Sequence, residues 1–242
     1  MANTLSVIFP LYNEEKRLHF TFKDILKFNK KNIFSKVEYL FIDDGSEDES
    51  SLRIANFIKK NKRKNIKYRL IKLKSNSGKG YALKIGVGKS TLKWILTLDT
   101  DISVSLDQIN IWQKKYNLLS TSSDKVFFGS RSLPDSKITY KFYRKFLGII
   151  FSNFVKFLFN TNLNDSQCGF KLYEKKAAKK IFKQLKNNGF SHDVEIIKIC
   201  QIYNIKIDEI PVNWTHRKDS KLNIFIDTFK MFFELIRIKF FN

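Results

Sequence analysis

Trp94-Ile95-Leu96-Thr97-Leu98-Asp99-Thr100-Asp101 joins a mostly apolar run directly to two carboxylates one residue apart. An apolar run of this length without polar alternation reads as a strand buried on both faces, as in a parallel sheet covered by helices. Ionised carboxylates do not belong inside such a strand, so Asp99 and Asp101 fall at its carboxyl end. In an open α/β sheet that end is the ligand-binding edge. Carboxylates at i and i+2 there suit a divalent ion, Mg²⁺ or Mn²⁺, shared with substrate phosphate oxygens. Alone, an Asp-x-Asp is more often an acidic turn, so the decision rests on its surroundings.

Upstream, Leu5-Ser6-Val7-Ile8-Phe9-Pro10 is a short strand stopped by proline, followed by the polar Tyr12-Asn13-Glu14-Glu15. Residues 14–29 carry Leu18, Phe22, Ile25 and Leu26 at helical spacing. A second strand at 37–42 ends in Asp43-Asp44-Gly45-Ser46, and 47–60 reads as a helix. A third strand covers 66–73, and a helix begins near Tyr81, after Asn76-Ser77-Gly78-Lys79-Gly80. Strands alternating with helices predict an α/β protein with a mainly parallel, doubly wound sheet. In such a sheet Asn13/Glu14, Asp43/Asp44, Gly78-Lys79-Gly80 and Asp99/Asp101 converge on one edge. Asp43 or Asp44 would accept hydrogen bonds from a base or ribose. The glycines would let backbone approach a ligand, and Lys79 at a helix amino end suits a diphosphate. Each cluster singly is ordinary turn or capping chemistry; four on one edge, in this order, are not.

The chain has 242 residues, 43% of them hydrophobic, which is enough for a sizeable core. Lys plus Arg number 45 against 23 Asp plus Glu, a formal charge of +22. That excess predicts an anionic partner: nucleic acid, a phosphorylated substrate or an anionic membrane. A genome biased towards Lys, Asn, Ile and Phe codons accounts for part of it. A basic nucleic-acid-binding protein would explain the charge but not the ordered motifs, so no nucleic-acid partner is expected. Two cysteines, Cys168 and Cys200, form no metal or disulfide pattern and suggest a reducing compartment. No signal peptide precedes the first strand, and no stretch reaches the ~18 apolar residues of a spanning helix.

In the second half, 103–119 reads as a helix and 126–129 as a strand leading to Arg131. Phe142, Phe146, Ile149, Ile150, Phe154 and Phe157 recur at helical spacing, with Lys141, Arg144, Lys145 and Lys156 among them. Phe225, Phe229, Phe232, Phe233, Ile236 and Phe240 form a second stripe, largely clear of Asp227, Lys230 and Glu234. Two alternatives are open for these helices: packing on their own domain, or lying apolar face down in a membrane interface. The second predicts a peripheral protein on the cytoplasmic face of a membrane.

Phe9-Pro10-Leu11-Tyr12-Asn13-Glu14, Asp43-Asp44-Gly45-Ser46, Asn76-Ser77-Gly78-Lys79-Gly80 and Asp99-Thr100-Asp101 resemble the successive motifs of the family 2 inverting glycosyltransferases. Those enzymes have a GT-A fold and use nucleotide-sugar donors. Phe128-Gly129-Ser130-Arg131, Asp165-Ser166-Gln167-Cys168-Gly169-Phe170-Lys171, His192-Asp193-Val194-Glu195 and Glu209-Ile210-Pro211-Val212-Asn213-Trp214-Thr215 resemble its dolichyl-phosphate β-glucosyltransferase branch. The related dolichol-phosphate mannose synthases match these later segments less well. The resemblance covers residues 5–222. It departs at His192, where the branch usually has Phe, and at the first strand, before which eukaryotic members carry a membrane anchor.

The resemblance implies one GT-A domain over 1–222, with a nucleotide-sugar half at 1–105 and an acceptor half at 106–222. Residues 223–242 would be an amphipathic, interfacial helix. Pro10, Tyr12, Asn13, Glu14 and Asp43 become donor-binding candidates, and Lys79 takes the diphosphate. Asp99 and Asp101 become the metal and donor carboxylates, with Asp101 the direct ligand. Arg131, Arg144, Arg217 and Lys221 are candidates for the acceptor phosphate, and Asp165 and Asp193 for a base or orienting carboxylate. The implied reaction moves glucose from UDP-glucose to a polyprenyl phosphate with inversion. A phosphate monoester carries roughly −1.5 to −2 charges at neutral pH, so a strong general base is less necessary than for a sugar hydroxyl. The alternatives are mannosyl transfer from GDP-mannose to the same kind of acceptor, and transfer to a sugar hydroxyl in a polysaccharide.

Overall fold

Strand and helix alternate from the first apolar run to the fourth: β1 (Thr4–Leu11), α1 (Leu18–Phe28), β2 (Lys36–Asp43), α2 (Ser50–Lys60), β3 (Ile66–Lys72), α3 (Lys79–Lys89) and β4 (Trp94–Thr97). Then follow α4 (Gln108–Tyr116), β5 (Val126–Ser130), β6 (Lys137–Thr139), α5 (Phe142–Phe159), β7 (Lys171–Glu174), α6 (Lys175–Gln184), α7 (His192–Ile202), β8 (Ile207–Pro211), β9 (Asn213–Thr215) and α8 (Ile224–Phe241). The structure, a computed structural model, describes residues 3–120, 124–139, 142–217 and 224–241.

The main sheet has seven strands in the order β3-β2-β1-β4-β7-β5-β8. β1 pairs in parallel with β2 and β4, β2 with β3, and β5 with β8. Only β7 is reversed, antiparallel to both β4 and β5. Its first residue, Lys171, lies opposite Thr97, the last of β4. The amino end of β7 therefore shares an edge with the carboxyl ends of the other six strands. A small parallel pair, β6 and β9, sets Ile138 opposite Trp214.

Successive side chains on a strand point to opposite faces, and here both faces are covered. Val7, Phe9, Tyr39, Phe41, Trp94 and Leu96 pack with α1, α2 and α4. Ile8, Leu40, Ile42 and Ile95 pack with α3, α5, α6, α7 and α8. This two-sided burial is why the strands read as unbroken apolar runs.

Helix starts differ from the periodicity. α1 begins at Leu18, not Glu14. The amides of Asn13, Glu14 and Glu15 instead donate to Ser46 Oγ (2.8 Å), Ser50 Oγ (2.7 Å) and Asp48 Oδ2 (3.1 Å). The span predicted as a helix over 103–119 divides into a loop, α4 and a 3₁₀ turn at Leu118–Ser120. Asp24 on α1 holds that loop, accepting from Ser105 Oγ and from the amide of Leu106, both at 2.7 Å.

α5 and α8 are each packed on one side and bare on the other. Phe232 sits 5.7 Å from the Phe151 ring and 4.9 Å from Phe154, while Leu235 and Ile238 are buried. Phe157, Phe233 and Phe240 are 85%, 73% and 67% exposed. The side chains of Phe142, Phe146, Phe225 and Phe229 lie outside those described. Among the described residues no helix is long and apolar enough to cross a membrane.

Candidate active site

The loops after β1 and β2 are stitched into one surface. Asn13 adopts φ +53, a left-handed conformation that Asn tolerates better than most residues. Its Oδ1 then accepts the amides of Glu47 (2.8 Å) and Asp48 (3.3 Å). Pro10 O accepts Thr100 Oγ1 at 2.7 Å, which ties the β1 end to the Asp-x-Asp loop. Tyr12 is half-buried beside them. Asn13, Glu14, Arg17, Glu47 and Asp48 line a cleft of ≈ 400 Å³.

The two aspartates ending β2 do separate work. Asp43 is fully buried and folds its own loop, accepting the Ser46 amide (2.8 Å) and Ser51 Oγ. Asp44 reaches the next loop, accepting the amides of Ser77 (2.9 Å) and Gly78 (2.7 Å). Burial pushes the Asp44 carboxyl up, against the pull of those two amides.

The glycines flanking Lys79 serve a different neighbour from the one expected. A Cβ on Gly78 would lie 2.3 Å from Asn188 O, and one on Gly80 2.3 Å from Asn187 O. They admit the loop between α6 and α7, whose Asn188 carbonyl accepts the amides of Gly80 (2.7 Å) and Tyr81 (3.3 Å). Two amides that a helix amino end would offer to a phosphate are thus taken by protein. The Lys79 side chain does reach the site: Nζ is 2.6 Å from Asp99 Oδ1.

Asp99 and Asp101 end up with different cations. Burial raises the Asp99 carboxyl, but Lys79 outweighs it and holds the group below its usual range. Gly169, just before β7, lies flush against Asp99; a Cβ there would meet Oδ2 at 2.5 Å. Asp101 Oδ1 accepts the Ser103 amide at 2.9 Å, and Oδ2 lies 3.5 Å from Arg17 Nη1. Burial, then the charge of Asp99, raises the Asp101 carboxyl. Arg17 is itself gripped by Glu14, through Nε to Oε2 at 2.6 Å and through Nη2 to Oε1. Directly after Asp101, Ile102 has φ +55, a conformation that costs a β-branched residue ~1–3 kcal/mol. Its neighbours hold it there: Ile102 O accepts Arg217 Nη2 (3.4 Å) and Ser103 O accepts the Thr215 amide (2.8 Å).

On the other side, Arg131 forks onto Asp165, Nε to Oδ2 at 2.7 Å and Nη2 to Oδ1 at 2.9 Å. Burial opposes the Asp165 charge, yet Arg131 keeps the carboxyl below its usual range. Glu209 fixes the loop from beneath, accepting the amides of Asn164 (2.7 Å) and Asp165 (2.8 Å). The Arg131 guanidinium lies 6.0 Å from the Trp214 ring, and that of Arg217 lies 4.6 Å from Phe20. Arg217 Nε is buried with no hydrogen-bond partner among the described residues. Arg144 is in α5 with its side chain outside those described, and Lys221 lies outside the described residues.

Asp193, at the start of α7, is buried, and its Oδ1 accepts Lys171 Nζ at 2.7 Å with His192 Nε2 at 3.1 Å. Burial raises the carboxyl, but His192, Lys171 and Lys79 hold it well below the usual range. Two residues here were not singled out from the sequence. Lys171, which closes the resembling Asp165–Lys171 segment but was given no role there, is fully buried and also donates to Cys168 O at 2.7 Å. Arg17 was visible only as a base three residues after Glu14.

For a divalent ion the chain offers two carboxylates; among the described residues no group of three or more His, Cys, Asp or Glu is placed to hold one. The pair fits a hard cation that takes its remaining oxygens from a bound diphosphate, since Asp101 Oδ2 is held only at 3.5 Å.

Residues 6–182 match the family described as Glycosyl transferase family 2. The chain is 37% identical to a dolichyl-phosphate beta-glucosyltransferase of Dictyostelium discoideum, over 98% of this chain and 74% of that protein. It is 34% identical to the Homo sapiens protein of the same name, over 97% and 74%. Its fold is similar to that of Mycobacterium tuberculosis glucosyl-3-phosphoglycerate synthase solved with Mn²⁺ and UDP-glucose (TM-score 0.67, 13% identity, 98% of this chain and 79% of that one).

Proposed function

The chain belongs to glycosyltransferase family 2 and has the GT-A fold, and from that premise we propose that it transfers glucose from UDP-glucose to a polyprenyl phosphate with inversion. One observation carries the proposal. The Asp99–Asp101 pair follows β4, with the stitched loops of β1 and β2 on one side and, across β7, Arg131 after β5 on the other, while Arg217 donates to Ile102 O in the same loop.

In this reading residues 1–105 bind the donor. Pro10, Tyr12, Asn13 and Glu14 face the nucleoside, with Asp43 and Asp44 shaping the loops that support it. Lys79 exchanges part of its contact with Asp99 for the diphosphate. Asp101 and Asp99 hold Mg²⁺ or Mn²⁺, which when bound supplies positive charge against the leaving diphosphate. Residues 106–222 bind the acceptor phosphate through Arg217 and Arg131, joined by Arg144 and Lys221. An acceptor phosphate oxygen attacks the anomeric carbon, a new C–O bond forms on the opposite face, and the old bond's electrons leave with UDP. No proton has to be removed, since the acceptor is already ionised. Asp165 and Asp193 fit that chemistry as orienting groups, because each carboxylate is already paired with a cation, Asp165 with the half-buried Arg131 and Asp193 with the buried Lys171. The bare aromatic faces of α5 and α8 rest on the cytoplasmic face of a membrane, where the lipid acceptor resides.

The test is to present vesicles containing polyprenyl phosphate with labelled UDP-glucose, GDP-mannose and UDP-N-acetylglucosamine. A β-glucosyl lipid phosphate made from UDP-glucose is the expected product. A mannosyl lipid, or label only in polysaccharide, would overturn the assignment.

A further inference from the structure

Each carboxylate of the Asp-x-Asp pair has its own resident cation, and the two are held differently. Lys79 contacts Asp99 at 2.6 Å, a closed ion pair. Arg17 stands off Asp101 at 3.5 Å, beyond the ~2.7–2.9 Å of a charge-assisted hydrogen bond. It cannot easily come closer or leave, because Glu14 grips its Nε and Nη2 and leaves only Nη1 facing Asp101. The side chains of Arg17 and Glu14 are only 12% and 10% exposed, so solvent screens this charge weakly.

We propose that Arg17 is a positioning residue, a built-in counter-ion that makes the divalent metal enter Asp101 together with a nucleotide diphosphate and not alone. The proposal rests on Asp99 and Asp101 being the metal carboxylates of the donor site. The local charges give the reason. Glu14, Asp99 and Asp101 against Arg17 and Lys79 leave one net negative charge. A lone divalent ion reverses that balance and meets the fixed guanidinium beside its ligand. An ion bringing a diphosphate does not, since the anion answers both the ion and Arg17. The stand-off distance matters as much as the charge: Asp101 Oδ2 is neutralised through space yet left open to coordinate. A lysine could carry the charge but not the two-point grip by Glu14.

The probe is Mn²⁺, titrated into the full chain by electron paramagnetic resonance without nucleotide and again with saturating UDP. Wild type is expected to bind Mn²⁺ weakly alone and much more tightly with UDP. Arg17→Gln should bind lone Mn²⁺ at least ~10-fold tighter, the scale of removing one nearby unit charge from a partly buried site, and the tightening by UDP should shrink. Glu14→Gln, which frees Arg17 and removes a negative charge, should weaken lone Mn²⁺ binding. Unchanged or weaker lone-Mn²⁺ binding in Arg17→Gln would overturn the proposal. If that variant does not fold, stronger lone-Mn²⁺ binding in Glu14→Gln would overturn it instead. Calorimetry separates the underlying reading: wild type binding UDP equally with and without Mn²⁺ would remove the metal-dependent donor site itself. UDP binding that needs Mn²⁺, beside an unresponsive Arg17→Gln, would remove only the role given to Arg17.

Discussion

Gly169→Ala adds one methyl group and should disable the site without unfolding the protein. The new Cβ would lie 2.5 Å from Asp99 Oδ2 and 2.7 Å from Cγ and Oδ1, where ordinary contact begins at 3.4 Å. Gly169 lies two residues ahead of β7, which is paired on both sides, and its neighbour Phe170 is tied to β5 through Gly129 N–H to Phe170 O at 2.8 Å, so the backbone is the stiffer partner and the carboxylate yields. It must retreat by about 1 Å, a misplacement that can cost ~10²-fold in rate. The movement also strains the 2.6 Å contact with Lys79. The assay pairs UDP calorimetry in Mn²⁺ with turnover on a polyprenyl phosphate, and thermal melting serves as the control for folding. We expect turnover to fall by about 10²-fold, UDP binding to weaken, and the melting temperature to change by only a few degrees. An alanine variant with wild-type turnover would refute the claim that Gly169 sets the position of Asp99.

Asp101→Asn keeps the shape and removes the charge; turnover should fall by at least ~10²-fold, and full activity in EDTA would exclude a metal role. Arg131→Ala should raise the KM for polyprenyl phosphate while leaving UDP affinity nearly unchanged. It should also destabilise the protein by about 3–5 kcal/mol in urea unfolding, because Asp165 loses its partner in a buried place. Asp165 and Asp193 are held below the usual carboxylate range, so their stabilisation is complete above an unfolded value of about 3.9 and is lost as pH falls through the lower folded values. Urea midpoints should therefore drop below about pH 4, and less steeply in Arg131→Ala. Phe157→Ser with Phe233→Ser should cut recovery with anionic vesicles by roughly tenfold or more, from the area of two exposed rings; equal flotation of variant and parent would remove the interfacial role.

β1, β2 and β4 were legible because two-sided burial writes itself as nearly unbroken apolar runs, each closed by a polar cluster, unlike the half-buried β3 with its Lys67 and Arg69. β7 was not. It has four residues, opens on a lysine, and owes its reversed direction to pairing with β4 and β5, which no local pattern encodes. Helix starts were misplaced wherever side chains from another loop took the amides, as Ser46, Ser50 and Asp48 do ahead of α1. In the site, the Asp-x-Asp pair and Lys79 were legible as types at a spacing. The partners that decide their state came from far along the chain: Gly169 against Asp99, Arg17 against Asp101, Asn188 over the start of α3. Gly78 and Gly80 were read as places where backbone comes close to a ligand, whereas the group packed against them is the protein's own backbone at Asn187 and Asn188.

The loop over α3 has a practical consequence for handling the protein. On one side Asn188 caps the helix that begins with Lys79; on the other, Asn187 Nδ2 reaches Glu234 of α8 at 3.4 Å. Leu235 and Ile238 of the same helix are plugged into the core beside it. Deleting the last helix to obtain a more tractable enzyme would therefore unroof this loop and expose apolar core, and any loss of UDP binding would be uninterpretable. Surface engineering has a cleaner route: the outward rings of Phe157, Phe233 and Phe240 can be made polar one at a time, leaving Glu234 against its loop and the donor end of the molecule undisturbed.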